Sequence, residues 1–204
     1  MYFEQIYKDD TRLELFVQEC EKRNLNNNKS IKDLKFNYFE HQAFFAGIHE
    51  DKIKLFGGVH NFDYNNTRYW RIGFRAVALY DQNFKPFTSK NWRRVSLIMG
   101  VVFYLGMKWV ESNFGPSRFI ITTNDNQKSL DGAGSSHQVD RLAKLGVLSG
   151  CSLLYEEIEY LYTIQNVWEL DKIHWYNDFD KFYKNKVIFK DGIFKYEKPT
   201  NFTI

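Results

Sequence analysis

Trp92 to Asn113 read WRRVSLIMGVVFYLGMKWVESN, and this stretch decides how the rest of the chain has to be arranged. No charge falls between Arg94 and Lys108, and Val95, Ile98, Met99, Val102, Phe103, Trp109 and Val110 recur at helical spacing. Thr88 and Ser89 stand before it as caps, and Phe114-Gly115-Pro116 ends it. The apolar run is too short for a bilayer, which takes about 20 residues. A helix with so few polar positions must be covered on nearly all sides, which makes it a core helix. At its entrance Arg93 and Arg94 oppose the helix macrodipole, a conflict that a bound phosphate would remove. The plain alternative is that both arginines point into water.

The flanking segments turn the helix into a unit. Behind it, SRFIITTND (Ser117 to Asp125) is a short β-branched run that reads as a buried strand. Ahead of it, YWRIGFRAVALY (Tyr69 to Tyr80) reads as another strand. Strand, helix and strand together make a crossover. The loop DQNFKPFTSKN, from Asp81 to Asn91, lies at a strand C-terminus and a helix N-terminus, the usual place for a phosphorylated ligand.

Upstream, HQAFFAGIHE and KIKLFGGVHNF flank a hairpin turn at Glu50-Asp51, and DYNNTR (Asp63 to Arg68) makes a second turn. Three consecutive antiparallel strands are therefore expected before the long helix. MYFEQIYK reads as a first strand. Asp9, Asp10 and Thr11 offer an N-cap to a helix with Leu13, Phe16, Val17 and Cys20 on one face. NLNNNKS is a loop by composition, and IKDLKFNYFE is ambiguous. Downstream, NQKSLDGAGSS is a loop and HQVDRLAKLGV a short helix ending at Gly146. LLYEEIEYLYT and IQNVWEL are two further strands, and the tail carries a helical turn and a hairpin signal at Asp191-Gly192. The expected fold class is α+β, with a mixed, mostly antiparallel central sheet covered on both faces.

The totals limit the function classes. A chain of 204 residues is one ordinary domain with at most a small appendage, and 44% hydrophobic content with 18% aromatics is ample for a core. A net charge of +3 is too small to argue for nucleic acid. MYFEQIYKDDTRLE is charged from the start and has no apolar signal-peptide core. Cys20 and Cys151 form no CxxC pair, so a reduced cytoplasmic protein without membrane attachment is expected. No HExxH, Cys/His cluster, P-loop, GxGxxG or GxSxG is present, and no metal is expected.

The order and spacing of these elements resemble the GNAT superfamily of acyl-CoA-dependent acyltransferases, over about Tyr2 to Leu170. The ending Leu142-Ala143-Lys144-Leu145-Gly146-Val147 is similar to the family's Leu-Gly helix end, and the paired strands after it look like the family's last two. The resemblance implies a three-layer α/β/α fold for residues 1–170, with 171–204 as an extension packed on the same domain. It implies acetyl-CoA or another acyl-CoA as co-substrate. The pantetheine arm would run along the strand at Val77, Ala78 and Leu79. The pyrophosphate would lie at Lys90, Arg93, Arg94 and Ser96, with Asn124 at the end of the next strand. There are departures. TSKNWRRVSL lacks the family's glycines, which let backbone N–H groups approach pyrophosphate, so side chains would have to substitute. The tyrosine that often serves as general acid falls at Leu142.

Acyl transfer to an amine needs a deprotonated nitrogen, a polarised thioester carbonyl and a proton returned to the thiolate. His60 and Asp63, at the end of the second central strand, are candidate bases, as is Asp81. The rival reading for His60 is a partly exposed strand-end histidine with no catalytic role, although its side-chain type suits base work. Tyr155 and Tyr160 are candidate acids, but with 13 tyrosines most must pack. Arg71 and Arg75 alternate onto one face of the third central strand with Tyr69 and Gly73. Their partners are structural carboxylates or an acceptor bearing a carboxylate or phosphate. The expected function is direct acyl transfer, acetyl first, to an amine of a small molecule or peptide, with an acidic acceptor and a homodimer both open. The alternative is a binding or structural protein that keeps the fold without catalysis.

Overall fold

The computed structural model describes residues 2–22, 40–77, 89–123, 151–160, 163–171, 187–190 and 193–196. The first strand, β1 (Tyr2–Ile6), leads into helix α1 (Thr11–Lys22). A meander follows, β2 (Gln42–His49), β3 (Lys52–Tyr64) and β4 (Thr67–Val77). Then come the long helix α2 (Ser89–Phe114) and β5 (Phe119–Thr123). The chain closes with β6 (Cys151–Tyr160), β7 (Thr163–Leu170), β8 (Val187–Lys190) and β9 (Ile193–Tyr196). All nine strands join one sheet in the order β6-β7-β5-β4-β3-β2-β1-β9-β8.

Both meander turns are two-residue turns with positive φ: Glu50 at 50° and Asp51 at 56°, Asn65 at 49° and Asn66 at 58°. This is the primed geometry whose twist matches the flanking strands, and Asn and Asp tolerate it best. The short helix expected at His137 to Val147 lies outside the described residues, as do residues 31–39 of IKDLKFNYFE and the tail's helical turn. The tail hairpin forms from β8 and β9, and β9 pairs antiparallel with β1, Phe3 opposite Phe194. The tail thus covers the sheet edge that β1 would otherwise present.

Alternation along the strands sorts the two faces. Ala43, Phe45, Leu55, Val59, Trp70, Ile72, Phe119, Ile121 and Trp168 pack with Val101, Val102, Leu105 and Val110 of α2. On the other face Phe44, Ala46, Ile48, Ile53 and Phe56 pack with Leu13 and Phe16 of α1. Over its described side chains from Gly100 to Val110, the core helix is largely enclosed, as the sequence requires. Val101, Val102, Tyr104, Leu105, Met107 and Val110 are all buried, and at 100° per residue they fall at every angle round its axis. Where α2 crosses β3, a Cβ on Gly106 would stand 3.3 Å from Val59 Cβ, so the helix lies close on the sheet. The helix ends at Gly115, whose φ of 76° lets its N–H reach Glu111 O at 3.0 Å.

Two irregularities are concentrated in β4. Gly58 pairs with Gly73, but Phe56 pairs with Ala76, so β4 carries one extra residue between them, a bulge. Second, β4 and β5 run parallel but pair only at Trp70/Phe119 and Arg71/Ile120. Beyond that point β4 continues to Val77 alongside β3, while β5 continues to Thr123 alongside β7. The sheet forks there.

Candidate functional site

Four strands contribute side chains to the fork on the face away from α2. His60 comes from β3, Arg71 from β4, Thr122 from β5 and Tyr160 from β6. His60 and Arg71 are cross-strand partners, so their side chains stand side by side. Arg71 Nε donates to Thr122 Oγ1 at 2.8 Å, spanning the two strands where they part. Its guanidinium also lies over the Tyr160 ring, 5.2 Å from the centroid.

His60 is interior to β3, four residues short of its end at Tyr64, and is fully buried. This corrects the strand-end placement expected from the sequence. The carbonyl of Asn61 lies 2.9 Å from His60 Nδ1 and can only accept, so Nδ1 carries the hydrogen. Nε2 is then an acceptor, and two donors face it, the Tyr160 hydroxyl at 3.1 Å and Arg71 Nη1 at 3.4 Å. Burial, with the Arg71 charge adding to it, lowers the His60 pKa from 6.5 to about 3. His60 is therefore a neutral acceptor at physiological pH. Its low basicity makes it a poor base for an amine.

The other expected catalytic residues stand elsewhere. Asp63, three residues on, falls on the opposite sheet face. It accepts Arg68 Nε at 2.8 Å and Asn61 Nδ2 at 2.8 Å, and Arg68 also holds Glu40 at 2.8 Å. The Arg68 bond lowers the Asp63 pKa, which further reduces its basicity. Tyr155 is on the fork's face, its hydroxyl 3.0 Å from that of Tyr69, and this bond raises its pKa. Tyr155 therefore holds its proton more tightly than a free phenol. Around them Phe62, Tyr64, Tyr69, Tyr155 and Tyr160 form one aromatic wall, with Phe62 and Tyr160 edge to face at 5.0 Å.

Of the expected acceptor arginines, Arg71 is at the fork. The bulge falls between Gly73 and Ala76, so simple alternation no longer ties Arg75 to the face of Arg71. The side chain of Arg75 lies outside the described residues. So do Ala78, Leu79, Asp81 and Asn124, and the side chains of Val77, Lys90, Arg93, Arg94 and Ser96. The backbone of Val77 pairs with Leu55, and Lys90 to Ser96 belong to the opening turns of α2. Sequence reasoning missed Thr122 and Asn61. Thr122 carried a signal, since it alternates with the buried Ile121 onto the face of Arg71. Asn61 carried none, because it acts through its backbone carbonyl. Among the described residues no three His, Cys, Asp or Glu side chains gather as metal ligands.

A meander, a long crossover helix, a bulged fourth strand and a parallel pair that forks make up the GNAT fold, and the chain has that fold. The structure superposes on the aminoglycoside 6'-N-acetyltransferase from Enterococcus faecium with a TM-score of 0.50 at 13% identity, over 83% of this chain and 96% of that one. An aminoglycoside 6'-N-acetyltransferase complexed with coenzyme A aligns with a TM-score of 0.48 at 12% identity, over 83% and 96% of the two chains. A probable acetyltransferase from Staphylococcus epidermidis aligns with a TM-score of 0.48 at 8% identity, over 83% and 98%. The first supports the fold; the other two are too distant to add to it. No protein-family profile and no curated protein matches the sequence. Among the described residues no helix is long and apolar enough to cross a membrane.

Proposed function

We propose that the protein transfers an acyl group, acetyl in the first instance, from acyl-CoA to an amine by direct attack. The observation that carries this is the fork. β4 and β5 pair at Arg71/Ile120 and then separate, while a bulge turns part of the β4 backbone out of its ladder with β3. Such a gap leaves strand N–H and C=O groups to a ligand's amide arm and exposes an N–H where a thioester oxygen gains charge. The pantetheine arm would lie along β4 to Val77, Ala78 and Leu79. The pyrophosphate would rest at the start of α2, with Lys90, Arg93, Arg94 and Ser96 replacing the missing glycines and Asn124, next in sequence after β5, beside them. In the transfer the amine lone pair forms the new C–N bond, the C–S bond breaks, and the proton lost from nitrogen goes to the thiolate. Tyr155 is the acid this reading assigns: it gives its proton to the thiolate and takes back the one lost from nitrogen, so the net transfer is from nitrogen to sulfur. Arg71, with Arg75, would hold a carboxylate or phosphate of the acceptor.

Acetyl-CoA at millimolar concentration should raise the melting temperature. A ligand at 100 times its Kd stabilises by about 2.7 kcal/mol, which is several degrees for a chain of this size. Free thiol should then appear when a panel of amines, some carrying carboxylates, is added. No shift with any acyl-CoA and no thiol release with any amine would overturn the reading.

A further inference from the structure

His60 has a feature that packing does not require. A buried position in mid-β3, between Val59 and Asn61 and one turn of the pleat from Phe62, would accept an apolar side chain, yet it holds an imidazole with both nitrogens engaged. Its bonds also lead outward. One nitrogen is locked to its own strand by the Asn61 carbonyl, and the other receives donors from two different strands, β4 and β6. These are the strand that forks and the edge strand of the sheet, whose Tyr160 reaches across to His60. Arg71 is in turn tied to Thr122 on the far arm of the fork, and its guanidinium lies against the Tyr160 ring. The four groups form one connected network across the opening.

We propose that His60 is a positioning residue of the acyl-transfer site, a fixed-tautomer acceptor that aims the Tyr160 hydroxyl and the Arg71 guanidinium at the acceptor in the fork. The assignment rests on the acyl-transfer reading above. The direction of each bond matters to it. With Nδ1–H given to Asn61, only Nε2 can accept, so Tyr160 must point its proton at His60 and turn its oxygen lone pairs away from the ring. Those lone pairs then suit an acceptor N–H. Arg71, fixed at its Nε and Nη1 by Thr122 and His60, meets an acidic group of the acceptor with a preset orientation. His60 itself touches no reacting atom.

The test has a spectroscopic and a kinetic part, both on the full chain. Imidazole nitrogen NMR at neutral pH should show His60 as the Nδ1–H tautomer, and Tyr160→Phe should move only its Nε2 resonance among the His60 signals. An Nε2–H tautomer, or no response to Tyr160→Phe, overturns the assignment. In turnover, His60→Leu should lower kcat by roughly tenfold or more, with the KM for acetyl-CoA unchanged. His60→Gln, which keeps an acceptor at the far end of the side chain, should recover most of that loss. Tyr160→Phe should lower kcat by no more than His60→Leu, which also takes the acceptor from Arg71, and the double variant should lose less than the sum of the two, because both remove the Tyr160–His60 bond. Retained acetyl-CoA binding certifies that each variant is folded. If the wild type turns over and the Leu and Gln variants fall alike, or neither falls, the positioning role is wrong and the acyl-transfer reading stands. If the wild type turns over no amine and binds no acyl-CoA, the acyl-transfer reading fails, and the assignment with it.

Discussion

At the scale of single residues, burial decides what His60 can be. A neutral imidazole whose pKa is lowered from 6.5 to about 3 takes up its proton in the unfolded chain before the folded one. Between those values the unfolded state binds more protons, so the group destabilises the fold increasingly as pH falls below 6.5, fully below 3. At pH 5 the difference is ~2 kcal/mol. Denaturant unfolding of wild type and His60→Gln between pH 7 and 5 checks this: the wild type should lose about that much more stability over the interval. Parallel curves would show that His60 is not held neutral by the fold. Gly58 is a second position settled by its neighbours. A Cβ there would come within 2.7 Å of the Ala43 carbonyl oxygen and 2.6 Å of Phe44 Cδ1. Backbone cannot move aside as a flexible side chain can, so Gly58→Ala should destabilise by about 1–3 kcal/mol, read as a lower urea midpoint. Neither effect was legible in the sequence. VHNF after a Gly-Gly pair says nothing of which strand will lie beside it.

At the scale of elements, the local signals were strong where a pattern is long. The core helix runs from Ser89 to Phe114, starting at an expected cap and ending at the expected Phe114-Gly115-Pro116 stop. Gly115 has a φ of 76°, and a Cβ there would find nothing within 4 Å, so a side chain would meet only conformational strain. Gly115→Ala should therefore cost about 1 kcal/mol, seen as a small drop in melting temperature without change in ligand response. The meander turns were readable in place: Glu50-Asp51 is the turn as read, while the turn read over Asp63 to Arg68 narrows to Asn65-Asn66, its flanking residues pairing in β3 and β4. The bulge in β4 was not readable. Period-2 alternation put Arg71 and Arg75 on one face, and the extra residue before Ala76 removes the ground for that. A bulge is set by what the strand must pair with and part from, here β3 and β5, and neither is encoded in the 11 residues of the strand itself.

At the scale of the whole molecule, one sheet of nine strands carries both the fork and the tail. The tail's β9 lies on β1, where Phe3 is buried opposite Phe194. A chain ending at Asp171 would leave β1 as an open edge beside a buried phenylalanine. Such a chain should unfold at lower denaturant and associate with itself, as light scattering would show. A stable monomer with the wild-type midpoint would mean that the pairing contributes little. The opposite edge needs no such cover. β6 shifts register twice against β7 and has Glu157 at a φ of 49°, and these irregularities blunt it against a further strand.

The sequence by itself determined the parts that depend on neighbours along the chain: the core helix and its ends, the turns, the meander and the crossover into Phe119–Thr123. Those follow from periodicity, capping and turn chemistry, which act over a few residues. From their order it also indicated the fold. Only the tertiary structure decided that β4 and β5 part after a two-residue pairing, that His60 is a buried acceptor rather than a strand-end base, and that Tyr160 and Thr122 complete its surroundings. The physical reason is distance along the chain. His60 and Tyr160 are 100 residues apart, and the protonation state of one is set by burial and charge that only their meeting creates.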